Sequence, residues 1–241
     1  MKGHQYKNKV VAIVPAAGKG KRFGPGTNKP FQILISKPII IWSLDALASF
    51  DDIVEIIPVL RVDDMEHGMK IFEEYHCSKI KRIAPGGIER QDSVYNGLKL
   101  IEDKDCIVLI HDGVRPLIEP PLIKGMIRQM SEILQTKEQC DGIVPGVPLK
   151  DTIKVAEDGI IKKTLRRDSL WAVQTPQVFP FKNIFSAYER TMQGGFYSTD
   201  DAAIVERHGG KIKIVMGSYR NIKITTPEDL IIAESLLSRG D

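Results

Sequence analysis

Short apolar runs recur along the chain with amphipathic stretches between them. Val10 to Pro15, Ile53 to Leu60, Ile80 to Ala84, Cys106 to Ile110 and Gly142 to Val147 read as strands buried in a sheet. Between them the apolar period lengthens to that of a helix. Met65, Met69 and Phe72 align within Met65 to Tyr75, and Val94, Gly97, Leu98 and Ile101 align within Asp92 to Ile101. Strand and helix in alternation predict an α/β fold: a single Rossmann-like, mostly parallel sheet with helices on both faces.

The pattern changes after Pro148. Asp151 to Val155 and Ile160 to Leu165 flank Glu157-Asp158-Gly159, and Asp-Gly between short β-prone runs signals a hairpin. This predicts an arm over residues 149–170 that leaves the sheet, with the chain returning through Trp171 to Thr175. Two capped helix starts follow, Ser198-x-x-Asp201 and Thr226-Pro227-Glu228-Asp229, the second with proline at the first helical position. The last helix, Glu228 to Ser238, is expected to pack back on the sheet. No repeat or linker marks a second domain, so residues 1–241 are expected to form one domain with that arm.

Composition narrows the class of protein. Hydrophobic residues make up 42% and charged residues 27%, enough apolar material for a core without disulfides or a structural metal. The formal charge is +3, with Lys and Arg spread along the chain, which argues against nucleic acid as the main partner. Cys77, Cys106 and Cys140 are odd in number and far apart, a spacing that fits neither a disulfide framework nor a zinc site. No run approaches the ~18 apolar residues of a membrane span, and the polar start, Met1 to Lys9, has no apolar stretch behind it. The expected location is the cytoplasm, with no membrane partner.

Candidate chemistry begins directly after the first run. In Pro15-Ala16-Ala17-Gly18-Lys19-Gly20-Lys21-Arg22-Phe23-Gly24, followed by Lys29-Pro30, small residues let backbone N–H groups approach an anion while Arg22 and Lys29 neutralise phosphate charge. The loop suits a triphosphate. Gly18, Gly20 and Gly24 also fit a variant dinucleotide-binding turn. Against that reading stand four cations in the loop and a second strand that ends in Leu60-Arg61 with no acidic ribose ligand.

Four more polar clusters fall at predicted strand ends or in the arm. Gly86-Gly87 follows the third strand and can admit a base or ribose, with Ser93 able to hydrogen-bond it. His111-Asp112-Gly113-Val114-Arg115-Pro116 closes the fourth strand and places Asp112 at the carboxyl edge, where open α/β sheets bind ligands. A carboxylate there can hold Mg²⁺ against triphosphate oxygens. His111 reads as a satisfied buried imidazole. Lys150-Asp151-Thr152 and Arg166-Arg167 lie at the two ends of the hairpin, so strand pairing brings Thr152 and Arg167 together to grip an acceptor phosphate. Lys223, among the apolar neighbours of Asn221-Ile222-Lys223-Ile224-Thr225, needs an anion partner or exposure.

Taken in order, Ala16-Ala17-Gly18-x-Gly20-x-Arg22, Lys29-Pro30, Gly86-Gly87-x-x-Arg90-x-x-Ser93-Val94, His111-Asp112-x-x-Arg115-Pro116, Asp151-Thr152, Thr175-Pro176-Gln177 and Asn221-Ile222-Lys223-x-Thr225 resemble one family. It is the 2-C-methyl-D-erythritol 4-phosphate cytidylyltransferase family of the non-mevalonate isoprenoid pathway, and the resemblance runs from about Val10 to Leu236. It implies that Pro15, Ala16, Ala17, Gly18, Gly87, Ser93 and Gly113 bind CTP. It implies catalytic roles for Arg22, Lys29, Arg167 and Lys223, with Asp112 as the ligand to Mg²⁺. Thr152, Arg115 and Arg167 would bind the sugar-alcohol phosphate, and the arm of one subunit would reach into its partner's site in a homodimer. The ribitol-5-phosphate cytidylyltransferases share the loop, His-Asp, Thr-Pro-Gln and Asn-Ile-Lys motifs. Pro148 to Lys154 and Leu170-Trp171 suit the methylerythritol family better.

Overall fold

The computed structural model describes residues 9–18, 23, 28–136 and 138–238. Its centre is β1 (Val10–Pro15), buried at all six positions because each face of the strand meets a helical layer. Parallel partners flank it, β4 (Ile53–Leu60) on one side and β6 (Ile107–Ile110) on the other. Beyond β4 lies the short edge strand β5 (Ala84–Pro85). Beyond β6 come β11 (Gln177–Pro180), antiparallel, and then β7 (Gly142–Pro148), which pairs antiparallel with β11 and with β10 (Trp171–Val173) along one edge and parallel with β12 (Ile212–Met216) along the other. The eight-stranded sheet is thus mostly parallel, as the strand-helix alternation predicts.

Side-chain alternation sends Val10, Ala12 and Val14 to one face and Val11 and Ile13 to the other. The first face is covered by α1 (Ile39–Ala48), α2 (Met65–Glu74) and α4 (Pro120–Thr136). The last of these aligns Ile123, Met126, Ile127, Met130 and Ile133 on its buried side. The opposite face is covered by α3 (Arg90–Lys99), α5 (Phe181–Gln193) and α6 (Asp201–Arg207), which contribute Val94, Leu98, Ile184, Tyr188 and Ile204.

Several predicted boundaries move, each for a local reason. Ile80 to Ala84 does not form a full strand: Ile80 makes one bridge to Ile56 and regular pairing is confined to β5. Arg82 turns instead to Glu55 and Glu102, and Pro85 has no N–H to extend the ladder. Helix α3 begins at Arg90, because Asp92 takes the Glu89 N–H at 2.9 Å and so stands third inside the helix. Asp200 caps α6 by accepting from Ala203 N, in place of Ser198. Helix α7 (Pro227–Ser238) starts on its proline as predicted but does not pack on the main sheet. Both faces are already covered, and Ala233, Leu236 and Leu237 join Leu34, Ile39, Leu117 and Ile224 in a separate cluster. That cluster lies beside the small hairpin of β2 (Ile33–Leu34) and β3 (Lys37–Pro38).

The hairpin predicted within 149–170 is present as β8 (Lys154–Glu157) and β9 (Ile160–Thr164), a two-stranded sheet of its own. Asp158 and Gly159 both take positive φ, 51° and 76°, the requirement of a tight two-residue turn. All nine strand residues are exposed, Ile160 and Ile161 included.

Candidate active site

The carboxyl ends of β1, β4 and β6 and the start of α3 converge on one edge of the sheet. Ala16 N donates to Val59 O at 2.8 Å and Gly113 N to Pro15 O at 3.1 Å, which fixes the exit from β1 against both neighbours. Gly86 N donates to Leu60 O, and Gly87 N donates to Ser93 Oγ at 3.0 Å. Pro15, Ala16, Gly87, Ser93 and Gly113 therefore meet at one edge of the sheet, with Ala17 and Gly18 following directly on Ala16. Lys29 opens a short 3-10 turn, Lys29–Phe31, anchored on the α2 side. There Asn28 Nδ2 donates to Asp64 Oδ1 at 2.7 Å, Pro30 is buried and the Phe31 ring lies edge-on to His67. Arg22 lies outside the described residues.

Gly86 is a glycine because of this convergence. A Cβ there would overlap the Ala17 Cβ and crowd the Leu60 carbonyl at 3.2 Å, and neither is the end of a flexible side chain. Gly86→Ala is expected to cost about 1–3 kcal/mol of local overpacking. The strain falls on the wall that holds Ala17. A CTP titration should show affinity weakened about tenfold or more, tenfold being 1.4 kcal/mol. Unchanged CTP affinity would place the nucleotide elsewhere.

Asp112, two residues past the end of β6, is 5% exposed and faces three cations. Lys223 Nζ stands 2.8 Å from Oδ2, Arg90 Nε 3.1 Å from Oδ1 and Arg115 Nε 3.8 Å from Oδ2. Burial alone would raise the carboxyl, yet Arg90, Lys223 and Arg115 together hold it well below the usual carboxylate range. Arg90 also grips the fully buried Asp201 with two nitrogens, at 2.9 and 2.8 Å, and Tyr188 Oη donates to the same carboxylate at 2.6 Å. Asp112 thus provides one carboxylate at the right edge of the sheet. No group of three or more His, Cys, Asp or Glu able to hold a metal exists among the described residues. That donor set fits a Mg²⁺ ion that takes most of its ligands from phosphate and water.

His111 is fully buried, as read from the sequence. Its Nε2 donates to the Arg115 carbonyl at 3.1 Å, while Nδ1, 3.1 Å from Thr175 Oγ1, accepts from that hydroxyl. Thr175 Oγ1 in turn accepts from Asp112 N at 3.0 Å, so the neutral ring satisfies every partner. Burial pushes the imidazole down to about 4. The unfolded chain takes up that proton near pH 6.5, so the unfolded state binds more protons below this pH and stability falls as pH drops. From pH 8 to 5 the loss is about 2 kcal/mol. Urea unfolding of the substrate-free protein should show it, and His111→Gln should remove this share of the pH dependence; equal slopes in both proteins would refute the assignment.

The remaining predicted residues lie at the neck of the hairpin. Leu165 N donates to Ile153 O, and Arg167 Nη1 donates to Lys150 O at 2.6 Å, so Thr152 and Arg167 share the neck as expected. No hydrogen bond or ion pair among the described residues joins this neck to Asp112, Arg115 or Lys223. The neck is tethered to the segment that carries Lys223: Tyr219 Oη donates to Pro148 O, and the Lys150 ammonium lies 3.8 Å from the Tyr219 ring centre. Arg115, expected at the acceptor, spends Nη1 on the Asn221 carbonyl at 2.7 Å and is largely buried. Sequence reasoning missed Arg90, Asp201, Tyr188 and Thr175 as parts of the site. Arg90 and Thr175 stood inside motifs already noted, but their partners are distant in sequence.

The exit of β1 and the cation cluster around Asp112 thus meet at the carboxyl edge of the parallel strands, the place where open α/β sheets bind ligands. Residues 10–239 match the family model described as IspD: 2-C-methyl-D-erythritol 4-phosphate cytidylyltransferase. A protein of that name from Geotalea uraniireducens is 45% identical over 235 residues, covering 95% of this chain and 97% of its own. Another, from Alkaliphilus oremlandii, is 44% identical over 232 residues and covers 95% of each. The crystal structure of 4-diphosphocytidyl-2C-methyl-D-erythritol synthase from Anaerococcus prevotii superposes with a TM-score of 0.82 at 33% identity over 97% of both chains. The chain belongs to the 2-C-methyl-D-erythritol 4-phosphate cytidylyltransferase family.

Proposed function

We propose that the protein transfers CMP from CTP to 2-C-methyl-D-erythritol 4-phosphate, releasing pyrophosphate and forming 4-diphosphocytidyl-2-C-methyl-D-erythritol for isoprenoid precursor synthesis. The observation that carries the reading is the pairing of Asp112 and Lys223, 2.8 Å apart, at the sheet edge where β1 ends. An acceptor phosphate oxygen bonds to the α-phosphorus of CTP as the bond to the bridging oxygen breaks, and pyrophosphate leaves with that electron pair. The acceptor is already anionic at neutral pH, so the step needs no general base. The chain's task is to bring two anions together and to neutralise charge building on the bridging oxygen.

In this reading Ala16, Ala17, Gly18, Gly87, Ser93 and Gly113 seat the nucleoside, and Lys29, Lys223 and Arg22 meet the phosphates. Asp112 holds Mg²⁺, which supplies further neutralisation of the triphosphate oxygens when bound. Thr152, Arg167 and Arg115 take the acceptor. An isolated hairpin is marginal in water, and β8–β9 has no packing partner within the described chain. It serves as an arm that seats on a second copy, bringing Thr152 and Arg167 to the partner's site in a homodimer.

Pyrophosphate release tests the reaction, with CTP, Mg²⁺ and either 2-C-methyl-D-erythritol 4-phosphate or ribitol 5-phosphate. Release with the first acceptor alone is expected; release with ribitol 5-phosphate alone would keep the chemistry and change the substrate. Thr152→Ala and Arg167→Ala should raise the acceptor KM and leave CTP binding within about twofold, the pattern of lost acceptor contact. A matching loss of CTP affinity would move these residues to the nucleotide pocket.

A further inference from the structure

Asp112 is approached by cations of unequal freedom. Arg90 is fixed by its two bonds to buried Asp201, which Tyr188 holds from behind. Arg115 is fixed by its bond to the Asn221 carbonyl, and only 13% of its side chain is exposed. Lys223 keeps 37% of its side chain exposed, and its ion pair with Asp112 is the only one it makes among the described residues. Of the three, Lys223 alone can leave the carboxylate without stripping a second buried partner.

Three cations stand against two carboxylates in this cluster, so its formal charge is positive. A lone divalent ion arriving at Asp112 meets one carboxylate already covered by an ammonium and two guanidinium groups. A divalent ion riding on a nucleoside triphosphate arrives with net negative charge. It also brings phosphate oxygens to which a flexible lysine can transfer. We propose that Lys223 is the exchangeable occupant of the Asp112 carboxylate, so that the site admits a divalent cation only as its complex with a nucleoside triphosphate. The inference rests on the proposed metal role of Asp112. It makes Lys223 the residue that decides in which form the metal enters.

Mn²⁺ binding, followed by the electron paramagnetic resonance of the free ion, tests this with the full-length protein. The acceptor is withheld so that CTP is not consumed. Without nucleotide, Lys223→Gln should bind Mn²⁺ at least about tenfold more tightly than wild type, the size expected for removing one charge near the surface. Adding Asp112→Asn to that variant should cancel the gain. With CTP present the order should reverse, wild type holding Mn²⁺ more tightly because Lys223 then stands on phosphate. Equal Mn²⁺ affinity of wild type and Lys223→Gln without nucleotide would overturn the exchange while leaving the metal role intact. If Asp112→Asn changes Mn²⁺ retention in no condition, CTP included, the metal role and the exchange fall together.

Discussion

Lys29→Ala should lower turnover by about 10²–10³-fold, the usual cost of removing a preorganised charge contact from a transition state. The residue sits in a turn held by its neighbours: Asn28 bonds Asp64, Pro30 is buried, and Phe31 packs on His67. Asp64 is itself pinned by Arg61 through two nitrogens, at 2.6 and 3.0 Å. The lysine is therefore presented by a frame that its neighbours hold in place, and the variant should remain folded, which thermal unfolding checks. The loss should appear in kcat and kcat/KM alike, because the charge on the bridging oxygen develops only during the reaction. A variant that keeps turnover within a few fold of wild type would remove Lys29 from the chemistry.

How much of this was readable in advance follows from where each signal resides. The runs Val10 to Pro15 and Ile53 to Leu60 coincide with β1 and β4 because burial on both faces demands continuous apolar sequence. The Asp158-Gly159 turn was legible because two positive φ values restrict the residues that fit. By contrast, Ile39-Ile40-Ile41-Trp42 opens a helix that is apolar on nearly every side, so no period separates it from a strand. The antiparallel strand β11 depends on pairing Gln177 to Pro180 with the distant Ile107 to Ile110, which no local pattern announces. The site divides in the same way. Asp112 and Lys223 were recognisable singly, one at a strand end and one as a lysine in apolar company, but their pairing needed the fold. Arg90 was visible as a motif position but its role was not, since its partner Asp201 lies 111 positions downstream.

That buried network sets the second large effect. Asp112→Asn keeps the side chain's shape but removes the one charge that three cations share, and its amide would present a donor where acceptors are required. Turnover should fall by at least about 10²-fold, since the change removes the carboxylate proposed to hold the metal and frees Lys223 from its position. Breaking a buried ion pair usually costs about 3–5 kcal/mol, because the partner charge is left uncompensated. Here the cost should lie at or below the lower end. Arg90 retains both bonds to Asp201, and Lys223 is exposed enough to turn to water. Only Arg115, largely buried with an Nε that already lacks a hydrogen-bond acceptor, stays trapped beside the amide. Urea unfolding and single-turnover kinetics on the same preparation separate the two effects. A folded Asp112→Asn protein that turns over at wild-type rate would make the carboxylate purely structural. Unfolding with full activity in the residual native fraction would lead to the same conclusion.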